Sequence, residues 1–134
     1  MMISTRGRYA LRVMIDLSEH GDEGYIAMKT VAERQGISLK YLEKILPLLV
    51  AENMIEGVHG KGGGYKLTKN PSEYSISEIL RLTEGDLAPV ACLSCDAEPC
   101  KHSEECRTLP MWTELNKRIN EYLDSVTLED LMRK

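Results

Sequence analysis

KTVAERQGISLKYLEKILPLLVAENMI, residues 29–55, decides the fold. A short helix is expected over about 29–35. Gly36 ends it, because glycine readily takes the left-handed conformation that closes many helices. Ser38 can cap a second helix running to about Glu52. Two helices joined by a tight glycine-containing turn make a helix-turn-helix. Val31, Ile37, Leu42, Ile45 and Leu46 form its inner face, and Lys40, Tyr41, Glu43 and Lys44 lie largely outward. Pro47 falls inside the second helix. It lacks a backbone donor and is expected to kink or loosen the chain there.

Downstream, two short alternating runs, Met54–Val58 and Tyr65–Thr68, flank His59-Gly60-Lys61-Gly62-Gly63-Gly64. That pattern predicts a β-hairpin with a glycine-rich tip. Upstream, Tyr9, Val13 and Leu17, with Leu11, Met14 and Ile15, recur at helical steps, so a first helix is expected over about Thr5–Glu19. HGDEG breaks it, and YIAM (25–28) is a short strand candidate. SISEILRLTEG predicts a helix capped by Ser75 or Ser77 and stopped at Gly85. A loop-like segment with Pro89 and Pro99 follows. A last long helix is expected over about Thr108–Ser125, with Trp112, Leu115, Ile119, Tyr122 and Leu123 as an apolar stripe. TLEDLMRK closes the chain as a tail opened by a capping Thr127. The fold class is therefore mainly α with a small β-wing.

The chain has 134 residues, 43% hydrophobic and 28% charged, ordinary for a soluble globular protein of one modest core. There is no Phe and one Trp, so Leu, Ile, Val and Met must fill that core. No signal peptide is evident, and no run approaches the roughly 18 apolar residues of a membrane span. The expected location is the cytoplasm, where structural disulfides are disfavoured. The formal charge of −4 argues at first against a nucleic-acid partner. Its distribution reverses that, because residues 1–70 carry +2 and residues 71–134 carry −6. A weakly basic front and an acidic back suggest two jobs. An enzyme has little support: there are three His, and no Ser/His/Asp spacing stands out.

The glycine-rich GKGGG is not a nucleotide cradle. A Walker loop needs its lysine followed by Ser or Thr at the start of a helix, whereas Lys61 is followed by Gly62 and a strand. A hairpin directly after a helix-turn-helix is a wing. Its Lys61 and His59 can meet phosphate or the minor groove. On the preceding helix, Lys40 and Lys44 can meet phosphate or guanine, Ser38 can donate to phosphate, and Tyr41 offers apolar contact and a hydroxyl. Glu43 repels phosphate, so at a DNA surface it needs a specific use such as accepting from cytosine N4. A pairing with a nearby Lys or Arg is the competing reading. Arg6, near the chain start, completes the candidate DNA-binding set.

All four cysteines, Cys92, Cys95, Cys100 and Cys106, fall within fifteen positions. Structural zinc favours two closely spaced pairs, and only Cys92/Cys95 forms one. A thiol switch needs a reactive and a resolving cysteine, which the same pair can supply. An iron–sulfur cluster takes thiolates from an irregular loop, which this segment also offers.

STRGRYALRVMIDLS (4–18), ISLKYLEKIL (37–46) and VHGKGGGYKL (58–67), with CRTLPMW (106–112) before the last helix, together resemble the Rrf2 family of bacterial transcription regulators over nearly the whole chain. The resemblance implies a winged helix-turn-helix at 1–86, a sensor loop at 87–107, and a dimerisation helix and tail at 108–134. It implies a homodimer in which each wing and recognition helix reads half of a palindromic operator. It also implies an iron–sulfur cluster on Cys92, Cys100 and Cys106 that sets DNA affinity or site choice. Target genes of iron–sulfur assembly or of cysteine and sulfur metabolism are implied likewise. Three departures are visible. The gap from Cys92 to Cys100 is longer than the family's commonest. Leu109 stands where members that regulate cluster assembly often carry His. Arg8 stands where nitric-oxide-responsive members carry an acidic residue. The fourth ligand is left between Cys95 and, second, His102, and the cluster between 2Fe-2S and 4Fe-4S. The other implied class is a cluster-free regulator controlled by thiol oxidation or by a partner protein.

Overall fold

A computed structural model of the chain describes residues 3–94, 98, 102 and 104–133. Helix α1 spans Thr5–Glu19, as its periodicity predicts. Ser4 caps it, its Oγ accepting the Gly7 N–H at 3.1 Å. The start of α1 is also anchored at long range: the Ser4 N–H and O–H donate to the Glu84 carboxylate at 3.0 and 2.6 Å. Gly7 faces that carboxylate so closely that a Cβ would collide with it. The apolar face of α1, Ala10, Val13, Met14 and Leu17, lies wholly in the core.

Helix α2 spans Met28–Gln35 and ends at Gly36, whose φ of 65° is left-handed. Helix α3 spans Leu39–Ala51, and Ser38 Oγ accepts the Tyr41 N–H at 3.1 Å. Ile37, Leu42, Ile45, Leu46 and Val31 are all buried, as the predicted inner face requires. Burying each such side chain contributes about 1.5–3 kcal/mol. Pro47 does not end α3, which runs four residues beyond it. Pro47 and Glu43 are both exposed, so water can reach the Glu43 carbonyl that a residue with an N–H at 47 would have bonded.

Strands β1 (Ile55–Val58) and β2 (Gly64–Leu67) pair antiparallel, with Ile55 opposite Leu67 and Val58 opposite Gly64. At the tip, Gly60 and Gly62 have φ of 94° and 79°, a region that suits glycine, and the Gly63 N–H donates to the Gly60 carbonyl at 3.0 Å. YIAM is not a strand. It contributes one bridge, in which Ile26 and Tyr65 exchange backbone hydrogen bonds of 2.9 Å each. Met28 already begins α2, so no length remains for more.

Helix α4 (Ile76–Glu84) is capped by Ser75 rather than Ser77, and Gly85 stops it. Helix α5 spans Leu109–Ser125 and has no fully buried residue. Its expected single stripe divides. Ile119 and Leu123 pack against the core, while Leu115 and Tyr122 are exposed together with Met111. Arg81 of α4 holds the inner side, donating to Asn120 Oδ1 at 2.6 Å and pairing with Asp124 at 3.1 Å. A Ser77 hydrogen bond, then the Arg81 charge, holds the Asp124 carboxyl below its usual range.

The expected tail is part of the core. Helix α6 (Leu128–Leu131) is capped by Thr127 and Asp130 in a reciprocal box, and Leu128 is fully buried. The Leu128 N–H donates to the Tyr74 carbonyl at 3.1 Å, and the Ile76 N–H to the Val126 carbonyl at 2.8 Å.

Candidate nucleic-acid interface and cysteine loop

The outward row of α3 stands as its spacing requires. Lys40, Glu43 and Lys44 are exposed. Glu43 has no ion-pair partner among the described residues, so the competing reading of a local salt bridge is not realised. Ser38 uses an acceptor site on the Tyr41 N–H, which leaves its O–H free to donate outward. Tyr41 departs from the expected outward placement. It is half-buried, edge-on to Tyr9 at 5.3 Å between ring centroids. It braces α3 against α1 and shows only part of its ring outward.

Arg6 is exposed beside this row, and one of its Nη atoms donates to the Thr83 carbonyl at 2.9 Å. A guanidinium carries five N–H donors, so most remain available to phosphate. Arg6 and Lys44 line one shallow depression with Ser4, Thr5 and Tyr41, where the start of α1 meets α3. A cationic, hydroxyl-rimmed hollow of this kind suits a backbone phosphate. His59 and Lys61 are exposed at the wing tip.

Sequence reasoning missed what fixes the helix-turn-helix to α1. Asp16 is almost completely buried yet belongs to the core-facing side of α1. Arg34 grips it with two bonds, Nη2 to Oδ1 at 2.6 Å and Nε to Oδ2 at 3.0 Å. The Gln35 amide adds a third at 2.9 Å. Hydrogen bonding to Asp16 raises the Arg34 guanidinium above its ordinary range. Arg12 continues the chain of contacts, donating to the Gln35 side-chain and backbone oxygens and lying over the Tyr9 ring at 5.3 Å. A buried carboxylate thus connects, through Gln35, Arg12 and Tyr9, to Tyr41 on α3. The available signal was an acidic residue between Val13 and Leu17, inside an apolar repeat.

Beyond α4 the chain turns back on itself. Asp86 accepts from the Ala88 N–H at 2.9 Å and the Ser94 hydroxyl at 2.5 Å, around a single helical turn at Ala91–Leu93. Cys92 sits in that turn, exposed, and Cys106 lies half-buried just before α5; both are free thiols. Cys106 Sγ is 3.4 Å from Thr108 Oγ1, and hydrogen bonds to Thr108 lower its pKa, biasing it toward thiolate. Cys95 and Cys100 lie outside the described residues. His102 is exposed, and its carbonyl accepts the Glu105 N–H at 3.0 Å. Among the described residues no three His, Cys, Asp or Glu side chains gather into a metal-sized group. Arg8 is exposed and donates to Thr5 Oγ1 at 3.0 Å. Among the described residues no helix is long and apolar enough to cross a membrane.

A helix-turn-helix with an exposed, part-cationic second helix, followed by a two-stranded wing, defines a winged-helix DNA-binding regulator. The chain belongs to the Rrf2 family, described as an iron-dependent transcriptional regulator, whose model matches residues 3–134. It is 33% identical over 98% of its length to the HTH-type transcriptional regulator IscR of Pectobacterium atrosepticum, covering 79% of that protein. Among solved structures it is similar to CymR, the global cysteine regulator of B. subtilis. That match has a TM-score of 0.80 and 35% identity, and covers 98% of this chain and 95% of the other. It is also similar to T. potens IscR, with a TM-score of 0.75 and 33% identity, covering 98% and 85%. The protein is a transcription regulator and not an enzyme.

Proposed function

We propose that this chain is a cytoplasmic homodimeric repressor or dual regulator whose grip on a palindromic operator is set by an iron–sulfur cluster in the cysteine loop. Residues 1–86 read DNA, 87–107 hold the cluster, and the long helix within 108–134 pairs the two copies. Cys92, Cys100 and Cys106 are the proposed ligands, with Cys95 or His102 completing the set. The observation that carries this reading is the placement of Cys106, a free thiol biased toward thiolate at the entry to α5. Thiolates are the donors such a cluster requires, so the donor chemistry fits. When bound, the cluster supplies a redox- and oxygen-sensitive cross-link. The chain supplies the rest: Cys106 leads directly into α5, and Arg81 ties α5 to the winged unit. Exposed Met111, Leu115 and Tyr122 give α5 an apolar side suited to a second copy. Two half-sites one turn apart are about 34 Å from centre to centre, so small shifts at the loop change the fit of both recognition helices. The family resemblance implies target genes in iron–sulfur assembly or in cysteine and sulfur metabolism, and similarity to CymR, a global cysteine regulator, supports the second.

The test is direct. Protein purified without oxygen is expected to be brown, to contain iron and sulfide, and to change operator affinity when the cluster is lost. A Cys92→Ala, Cys100→Ala, Cys106→Ala variant with unchanged affinity and site choice would refute the cluster switch. Cys92 and Cys106, both free, with Cys106 shifted toward thiolate, also favour a second reading, control by thiol oxidation. Colourless, iron-free protein whose DNA affinity responds to peroxide would select it. Colourless protein that ignores peroxide would point to control by a partner protein.

A further inference from the structure

The first turn of α3 presents a side chain that the fold does not use. Leu39, the first residue of the helix, is 38% exposed and is not among the apolar side chains packed against the core. The charged residues around it, Lys40, Glu43 and Lys44, are exposed as well. A lone exposed leucine on an ordinary surface needs no explanation. This position is not ordinary, because the N-terminal residues of a recognition helix are those that reach base edges. Ser38 caps the turn and fixes its direction.

Leu39 and Glu43 are four residues apart, hence neighbours on one helix face, with about 5–6 Å between Cβ atoms. That face therefore pairs a branched apolar group with a carboxylate that makes no ion pair among the described residues. In the major groove thymine alone offers a methyl group. Cytosine offers an N4 donor with no acceptor beside it on the same base, unlike adenine, whose N7 would repel a carboxylate. Successive base pairs are about 3.4 Å apart, so the two side chains span about two base steps.

We infer that Leu39 is a specificity-determining residue. It packs on the methyl of an operator thymine within two base steps of the cytosine read by Glu43. The inference rests on the operator-reading role of α3.

The full chain is used to select its operator from randomised duplexes. Each thymine of the selected half-site is then replaced by uracil, which keeps the pairing and removes only the methyl. Wild-type protein is expected to lose about fourfold in affinity at one thymine per half-site, the value of one buried methyl. Leu39→Ala is expected to bind the selected duplex more weakly and to be indifferent to uracil at that position. Its melting temperature should stay within about 3 °C of wild type, since the site is exposed. Glu43→Ala should relax the choice at the neighbouring cytosine yet keep the uracil penalty. A wild-type protein insensitive to uracil throughout the half-site overturns the inference, as does a Leu39→Ala variant that keeps the same penalty. Failure to select any sequence overturns operator reading itself, and the inference with it.

Discussion

Asp16→Asn is the sharpest perturbation of the link between α1 and the helix-turn-helix. The substitution keeps the volume and deletes the charge, so it opens no cavity. In the wild type one carboxylate accepts three side-chain donors, two from Arg34 and one from Gln35. Removing one partner of a fully buried ion pair costs about 3–5 kcal/mol. Here the acid is 1% exposed but the Arg34 side chain is 29% exposed, so water can recover part of the freed guanidinium's solvation. The new amide also turns an N–H toward a donor, although its oxygen can still accept. A loss of about 2–4 kcal/mol follows. For a chain of this size that lowers Tm by about 10 °C. Thermal denaturation followed by circular dichroism, at fixed protein concentration, measures it. Operator affinity, taken well below both melting temperatures, should fall about tenfold, because Gln35 adjoins the Gly36 turn and Arg12 holds its carbonyl. A double-mutant cycle with Arg34→Gln should return a coupling of about 2 kcal/mol. A Tm within 2 °C of wild type, roughly half a kcal/mol, together with no coupling, would refute the reasoning.

Three further outcomes are expected. Leu128→Ala, in the four-residue α6, should cost about 2–5 kcal/mol in urea unfolding, because the side chain is fully buried in the winged unit's core. Lys61→Ala should weaken binding about equally across sequences. It should also reduce the slope of log affinity against log salt by about 2 for a dimer, one phosphate lost per wing. With Cys92, Cys95 and Cys100 replaced by Ser, alkylation of Cys106 should rise with pH at a midpoint below that of the same thiol in the urea-unfolded chain. The folded pKa is depressed, so thiolate appears earlier as pH rises. Thr108→Val should move the midpoint upward, and an unchanged midpoint would show that Thr108 does not tune the thiol.

Most of the winged unit was legible because its signals are local. Gly36 marks a left-handed stop whatever surrounds it, and the cap at Ser38 needs only the N–H three residues on. The wing's glycines sit where positive φ is required. What escaped was set at long range. YIAM has strand composition, yet its pairing partner is Tyr65, some forty residues away, and α2 takes its last residue. TLEDLMRK looks like a tail, but Leu128 is fully buried and its N–H bonds to the Tyr74 carbonyl, which no local pattern reveals. The stripe on α5 looked single because steps of three and four connect both of its faces. The packing of Ile119 and Leu123 on the core, with the Arg81 contacts to Asn120 and Asp124, marks which side turns inward. Of the candidate site, the exposure of Lys40, Glu43, Lys44, His59 and Lys61 agrees with expectation. Tyr41 does not follow it fully, because Tyr9 captures its ring edge-on.

Under the proposed reading, the two ends of the cysteine segment give a path by which a change there would reach the DNA. One end leaves α4 at Gly85, one residue after Glu84, the carboxylate that holds Ser4 at the start of α1. The other end enters α5, whose inner face is held by Arg81, three residues before Glu84. Both anchors therefore fall within the last turn of one helix, and that helix also receives Arg6 through the Thr83 carbonyl. Under the proposed reading, cross-linking the segment between these anchors removes loop entropy and biases the angle between α4 and α5. The same bias acts on Ser4 and Arg6, which share the hollow with Lys44 of the recognition helix. Arg81→Ala should uncouple the two. Cluster loading, read by colour and iron content, should persist, because the cysteines are untouched. The affinity difference between loaded and cluster-free protein should shrink from tens-fold toward a few-fold. An Arg81→Ala variant that retains the full difference would place the coupling path elsewhere.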